Sequence, residues 1–93
     1  MNTLLKRLTE ASGVSGCEES VRDIIIEEIK PLCDTLKIDK MGNLIAFKRG
    51  SSEKRKKVMV GAHMDEVGFM IKSIDDNGAL KFMTAGSIDR RVL

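Results

Sequence analysis

One histidine occurs in the 93 residues, and an aspartate follows it two positions later. In extended backbone, side chains two apart project to the same face, so His63 and Asp65 are predicted to point together. A carboxylate beside an imidazole accepts one ring N–H, fixes the tautomer and makes the other nitrogen a better metal ligand. Taken alone, such a pair is more often structural than ligating. His63 and Asp65 are nevertheless a candidate half of a metal site.

The stretches around this pair predict the strands that must position it. Residues 58–62, VMVGA, are short, apolar and uncharged, with basic residues before them and carboxylates after. That pattern is typical of a buried strand whose end opens into a polar site. Residues 35–39 and 44–47 predict a hairpin around Gly42 and Asn43, and residues 67–74 and 79–84 predict a second hairpin around residues 75–78.

The first third of the chain predicts two amphipathic helices. Residues 3–12 place leucines at helical spacing, and Gly13 is predicted to end that helix in the left-handed conformation. Ser15 and Glu18 match a capping box, which predicts the start of the second helix there. Pro31 ends that helix near Lys30 or kinks its last turn. The predicted apolar face of the second helix comprises Val21, Ile24, Ile25, Ile29 and Leu32.

Composition excludes several partners. Hydrophobic residues make up 42% and charged residues 32%, which is globular, and no apolar run approaches the ~20 residues of a membrane span. A net charge of +2 is too small to imply nucleic acid or a membrane surface. The basic residues at 48–57 are interpreted as a solvated loop, since aromatics for base stacking are scarce.

Without a secretion signal a cytoplasmic location is expected, with Cys17 and Cys33 as free thiols.

Three segments in order carry a family resemblance: residues 12–18, SGVSGCE, residues 39–46, DKMGNLIA, and residues 61–69, GAHMDEVGF. They closely resemble the start of the tetrahedral or glutamyl aminopeptidases, cytosolic dinuclear metallopeptidases of which some carry an endoglucanase label. The resemblance implies an α/β fold: an αβα-sandwich peptidase domain interrupted by a β-rich inserted domain that mediates dimerisation within a dodecamer. Residues 1–68 are then the N-terminal portion of the peptidase domain, and residues 69–93 begin the insert.

The same resemblance implies a chemistry. His63 would bind one of two divalent ions, zinc or cobalt. Asp65 would be the catalytic carboxylate that orients and polarises the His63 imidazole. The metal pair would activate a bridging water, and a glutamate would take its proton as N-terminal residues are removed from a peptide substrate. Glu66 stays open between a position near the substrate and a solvated carboxylate.

The bridging Asp, the second His and the general-base Glu of that family have no counterpart motif in this sequence. We therefore expect a truncated segment that is inactive alone and holds none or part of the metal pair. The alternative is a non-catalytic module that self-associates or pairs with a partner through exposed strands. Neither interpretation includes nucleic acid or a membrane as a partner.

Overall fold

The computed structural model describes residues 2–93 as two helices followed by two β-hairpins, the α/β mixture expected. Two short 3₁₀ turns, Lys30–Leu32 and Arg90–Val92, complete these elements. The helices are α1, Asn2–Glu10, and α2, Glu19–Ile29; the strands are β1, Thr35–Ile38, β2, Leu44–Phe47, β3, Gly68–Ile74, and β4, Leu80–Ala85.

The connection between the helices differs from its prediction. Gly13 is absent from the glycines with positive φ, so its predicted left-handed conformation is wrong. It is instead buried against α2, where an added Cβ would lie 2.7 Å from Val21 Cγ2. Gly13 is therefore a point of close approach between two segments, a second reason for using glycine.

The predicted capping box is also wrong. Glu18 is the N-cap residue of α2, and its Oε1 accepts a hydrogen bond from Gly16 N at 2.7 Å. A turn precedes the helix, with Cys17 N donating to Val14 O at 2.8 Å and Gly16 at φ +88°. Because this turn separates Ser15 from the helix, the Ser15 side chain is not placed to cap it.

The end of α2 is close to its prediction. The helix stops at Ile29, and Pro31 lies in the 3₁₀ turn that follows. The tighter turn changes the residue spacing, and the side chain of Leu32 is 63% exposed. Leu32 therefore does not belong to the apolar face that Val21 begins.

The first hairpin is confirmed. Strands β1 and β2 pair antiparallel from Thr35 opposite Phe47 to Ile38 opposite Leu44. In the loop, Asp39 Oδ1 accepts from Met41 N and Asn43 N, each at 2.9 Å. Gly42 takes φ +86°, which a side chain would resist.

The second hairpin is confirmed as well, and its loop repeats the first. Asp75 Oδ1 accepts from Asn77 N at 3.0 Å and Ala79 N at 2.8 Å, and Gly78 takes φ +83°. Strands β3 and β4 pair antiparallel, with a bulge at Lys72. Each hairpin is a two-stranded sheet of its own.

The predicted buried strand at residues 58–62 is wrong. These residues lie outside every strand of the described chain, and Val58, Met59 and Val60 are 84%, 95% and 90% exposed. A strand requires a hydrogen-bonding neighbour, and within residues 2–93 each sheet ends after its own two strands. The apolar sequence of the segment was not sufficient to form a strand.

The core is small. The described chain measures 66 × 30 × 23 Å with a radius of gyration of 18.1 Å, against about 12 Å for a compact domain of this length. Among residues 2–93 only Gly13 and Val21 are buried. The position of the candidate site therefore depends on a few specific contacts.

Candidate metal site

The histidine and the aspartate make the predicted contact. His63 Nδ1 lies 2.9 Å from Asp65 Oδ1 and 2.9 Å from the Asp65 main-chain oxygen. A main-chain oxygen only accepts, so Nδ1 carries the proton and donates to both. This tautomer leaves the Nε2 lone pair available, and the His63 side chain is 85% exposed. Metal-ligating histidines show the same arrangement, with the nitrogen that does not bind the ion donating to a carboxylate or a main-chain oxygen.

Residues distant in sequence line one cleft of about 150 Å³ around this pair. One side is formed by residues 62–65, and another by Met41, Gly42 and Asn43 of the β1–β2 loop. Glu18, the N-cap of α2, completes the lining. The three segments that carried the family resemblance thus meet at one place.

The β1–β2 loop, which forms one side of the cleft, is hydrogen-bonded to α2 and also has hydrogen bonds between its own residues. Arg22 Nη1 donates to Gly42 O at 3.1 Å, which joins the helix to the hairpin loop. The side-chain amide of Asn43 donates to Asp39 Oδ2 at 2.9 Å. This hydrogen bond, with that of the Asn43 main chain, lowers the pKa of the Asp39 carboxyl below its usual 3.8.

The histidine side of the cleft is held by the α1–α2 connection. Glu66 N donates to Gly13 O at 2.8 Å, and Glu66 forms an isolated parallel bridge with Val14. Gly13 N donates in turn to Glu66 Oε1 at 3.4 Å. Glu66 is exposed yet bonded to the main chain, so neither sequence-based interpretation described this contact.

The donor set fits one metal ligand and its supporting carboxylate. Within residues 2–93 no three His, Cys, Asp or Glu side chains are grouped to hold an ion. A catalytic zinc site uses about three protein ligands. The His63 imidazole fits such a site as one member, and residues 2–93 group no further ligands beside it.

Sequence reasoning missed the part that Glu18, Asn43 and Gly13 play around the cleft. Each lies in or beside a segment of the family resemblance, which was a signal that these segments share a location. The contacts that bring these segments together join residues 20 and 53 positions apart, Arg22 with Gly42 and Gly13 with Glu66, and periodicity does not report such pairings.

The family follows from comparison with known proteins. A family model described as M42 glutamyl aminopeptidase matches residues 42–93, more than half of the chain. The chain belongs to this family. A second model, AMPT, matches residues 1–25.

Relatives support the same assignment. The lysyl aminopeptidase of Pyrococcus furiosus is 43% identical over 86 residues, covering 91% of this chain and 24% of the relative. A solved endoglucanase of Thermotoga maritima is 48% identical with a TM-score of 0.87, covering 96% of this chain and 28% of that protein. The TET1 peptidase of Pyrococcus horikoshii is 44% identical with a TM-score of 0.82, covering 99% and 27%.

The same matches show how much of its relatives' length this chain covers. It spans about a quarter of the length of the curated relatives it matches. The expected fold class, part of an α/β peptidase fold, is confirmed by the agreement with the solved relatives. Within residues 2–93 no helix has the length and apolar character needed to cross a membrane.

Proposed function

We propose that this chain supplies one side of the active site of a metal-dependent aminopeptidase that removes N-terminal residues from peptides. The observation that carries the proposal is the exposed His63 ring, with Nδ1 on Asp65 and Nε2 free, in a cleft lined by three distant segments. Membership of the M42 glutamyl aminopeptidase family supports this chemistry. The cytoplasm is the proposed location, on the family resemblance alone.

The two site residues have distinct roles in this proposal. His63 binds one of two divalent ions, zinc or cobalt, through Nε2. Asp65 holds the proton on Nδ1, which keeps the ring in the ligating tautomer and raises its basicity. When bound, the ions polarise the peptide carbonyl and activate water. Glu18 and Asn43 line the same cleft and offer oxygen and amide groups to a polar ligand.

The remaining ligands and the general base belong to the rest of the peptidase fold, so we propose that residues 2–93 alone are inactive. We also propose that residues 1–68 are peptidase domain and residues 69–93 begin an inserted β-rich domain. The support is that β3 begins at Gly68 and that β3 and β4 form a sheet separate from the first hairpin.

A second candidate function is that of a non-catalytic module. Large apolar side chains of the second hairpin are 44% to 66% exposed: Phe69, Met70, Ile71, Ile74, Leu80, Phe82 and Met83. Burying such side chains stabilises association, so pairing with a partner or a second copy is a consistent use.

The Pyrococcus horikoshii relative is described as assembling into a tetrahedron or a large octahedral shell. A homo-oligomer is accordingly proposed for the complete enzyme.

An activity assay separates the two candidates. The chain and a chimera are compared on aminoacyl-p-nitroanilides with added zinc or cobalt. In the chimera, residues 2–93 replace the matching 28% of the Thermotoga maritima protein. We expect release of p-nitroaniline by the chimera and none by the chain.

Site variants in the chimera make the assay specific. His63→Ala is expected to abolish turnover, and Asp65→Ala to reduce it by about 10- to 100-fold, the usual effect of losing a carboxylate behind a metal-bound histidine. Glu53→Ala, an exposed carboxylate of the basic loop, serves as the control. Full activity of His63→Ala would refute its role, and turnover by the chain alone would refute the proposed inactivity.

A further inference from the structure

The peptide unit between Asp65 and Glu66 is held from both sides. Its carbonyl oxygen, on Asp65, accepts from His63 Nδ1 at 2.9 Å. Its N–H, on Glu66, donates to Gly13 O at 2.8 Å. The carbonyl and the N–H of a trans peptide are coplanar and point in opposite directions. Any rotation of this unit that weakens one hydrogen bond therefore weakens the other.

Gly13, at the other end of this connection, is one of two buried residues in the described chain. Gly13 is buried, and a Cβ there would lie 2.7 Å from Val21 Cγ2 and 3.3 Å from Met64 O. Val21 belongs to α2 and is itself only 7% exposed. Gly13 O is thus fixed relative to the helix, and it fixes the Asp65 carbonyl in turn.

The Glu66 side chain closes a ring of hydrogen bonds at the same place. Gly13 N donates to Glu66 Oε1 at 3.4 Å, so Gly13 and Glu66 contact each other through two hydrogen bonds. Residues 58–62, which lead into the histidine, have no strand partner within residues 2–93. Because no strand pairing supports the pair from that side, the hydrogen bonds between Gly13 and Glu66 are a restraint on its orientation.

We propose that Gly13 and Glu66 are positioning residues for His63: they orient the 65–66 peptide unit so that its carbonyl, with the Asp65 carboxylate, holds the proton on Nδ1. This role extends the proposed metal-ligand role of His63. It also accounts for Glu66, whose carboxylate acts as an acceptor for the α1–α2 connection and does not reach the ring.

The test reads the tautomer of the ring directly and uses no metal. Two-bond ¹H–¹⁵N spectra of the histidine-labelled 93-residue chain are recorded at one pH at which the imidazole is neutral. The unmodified chain is expected to show a protonated Nδ1 and an unprotonated Nε2. Glu66→Ala is expected to shift both resonances toward the averaged positions of a free imidazole. Glu66→Gln keeps a side-chain acceptor and is expected to retain the original spectrum, as is the control Glu53→Ala.

Three results would overturn the proposal. Glu66→Ala with an unchanged ring spectrum would show that the hydrogen bond from Gly13 N to the Glu66 carboxylate does not orient His63. Glu66→Gln behaving like Glu66→Ala would show that an acceptor is not what Glu66 supplies. Loss of the Gly42 and Gly78 amide signals in Glu66→Ala would make Glu66 a residue of general stability. Because no metal is present, none of these results depends on whether the aminopeptidase assignment is right.

Discussion

The strands of the two hairpins and residues 58–66 are all apolar stretches that end in polar residues. The hairpins differ from residues 58–66 in the contacts that fix their conformation. Each hairpin finds its partner strand within a few residues, across a loop closed by an aspartate and a left-handed glycine. Residues 58–62 find no partner strand within residues 2–93, and the segment that follows them is held where Glu66 meets Gly13. The hairpins are thus specified locally, whereas the histidine segment is specified by contacts with distant residues.

The largest expected effect concerns this contact between distant segments. Gly68→Ala places a Cβ against Val14 Cγ2, the side chain next to Gly13, at a distance that requires displacement. Overpacking of this kind costs about 1–3 kcal/mol. We expect faster hydrogen exchange of the Glu66 amide, with no change for the hairpin amide of Asp75, which donates to Ala79 O.

A second substitution provides the control for Gly68→Ala. Val14→Ala in the same chain removes the methyl groups that the new Cβ meets, so the double variant should recover most of the Glu66 protection. Protection of Glu66 that stays at its original level in Gly68→Ala alone would show that the two segments are not packed as described.

The next effect compares two glycines. Gly78 has φ +83° and open space around its Cα, so Gly78→Ala should cost about 1–2 kcal/mol from backbone conformation alone. Gly61, in the histidine segment, has open space and no positive φ, and Gly61→Ala should stay within about 0.5 kcal/mol. Urea unfolding of both variants measures the difference, and equal free energies of unfolding would contradict it.

The smallest effect is a pH dependence in the first hairpin loop. Hydrogen bonds from Asn43 lower the pKa of Asp39 in the folded chain below 3.8, so its ionised form stabilises the loop. That contribution is complete above the unfolded pKa and is lost as the pH falls through the lowered folded pKa. We expect exchange protection of Asn43 N to be constant above about pH 5 and to fall below the usual Asp pKa of 3.8.

Asp39→Asn should abolish this pH dependence, because the amide does not titrate. A decline of Asn43 protection that begins well above the usual Asp pKa, or one that persists in Asp39→Asn, would assign the effect to another group.

The predictions that succeeded rest on local chemistry. Asp39 with Gly42, and Asp75 with Gly78, specify their loops through hydrogen bonds within five residues. The contact of His63 with Asp65 follows similarly from a spacing of two in extended backbone. For these elements the sequence alone was sufficient.

The predictions that failed needed information from elsewhere in the chain. Val58, Met59 and Val60 have the composition of a buried strand but no neighbour within residues 2–93 to pair with. Gly13 was taken for a left-handed helix end, and it serves as a close contact with α2 and with Glu66, 53 residues away. Both errors treated a long-range requirement as a local signal.

The central claim is that His63 is one ligand of a metal pair completed by the rest of the peptidase fold. It is tested most directly by the metal content of the chimera, measured by elemental analysis after dialysis, with and without His63→Ala. We predict two divalent ions per chimera and the loss of at least one on His63→Ala, with Glu53→Ala unchanged. Two ions retained by His63→Ala would contradict the claim.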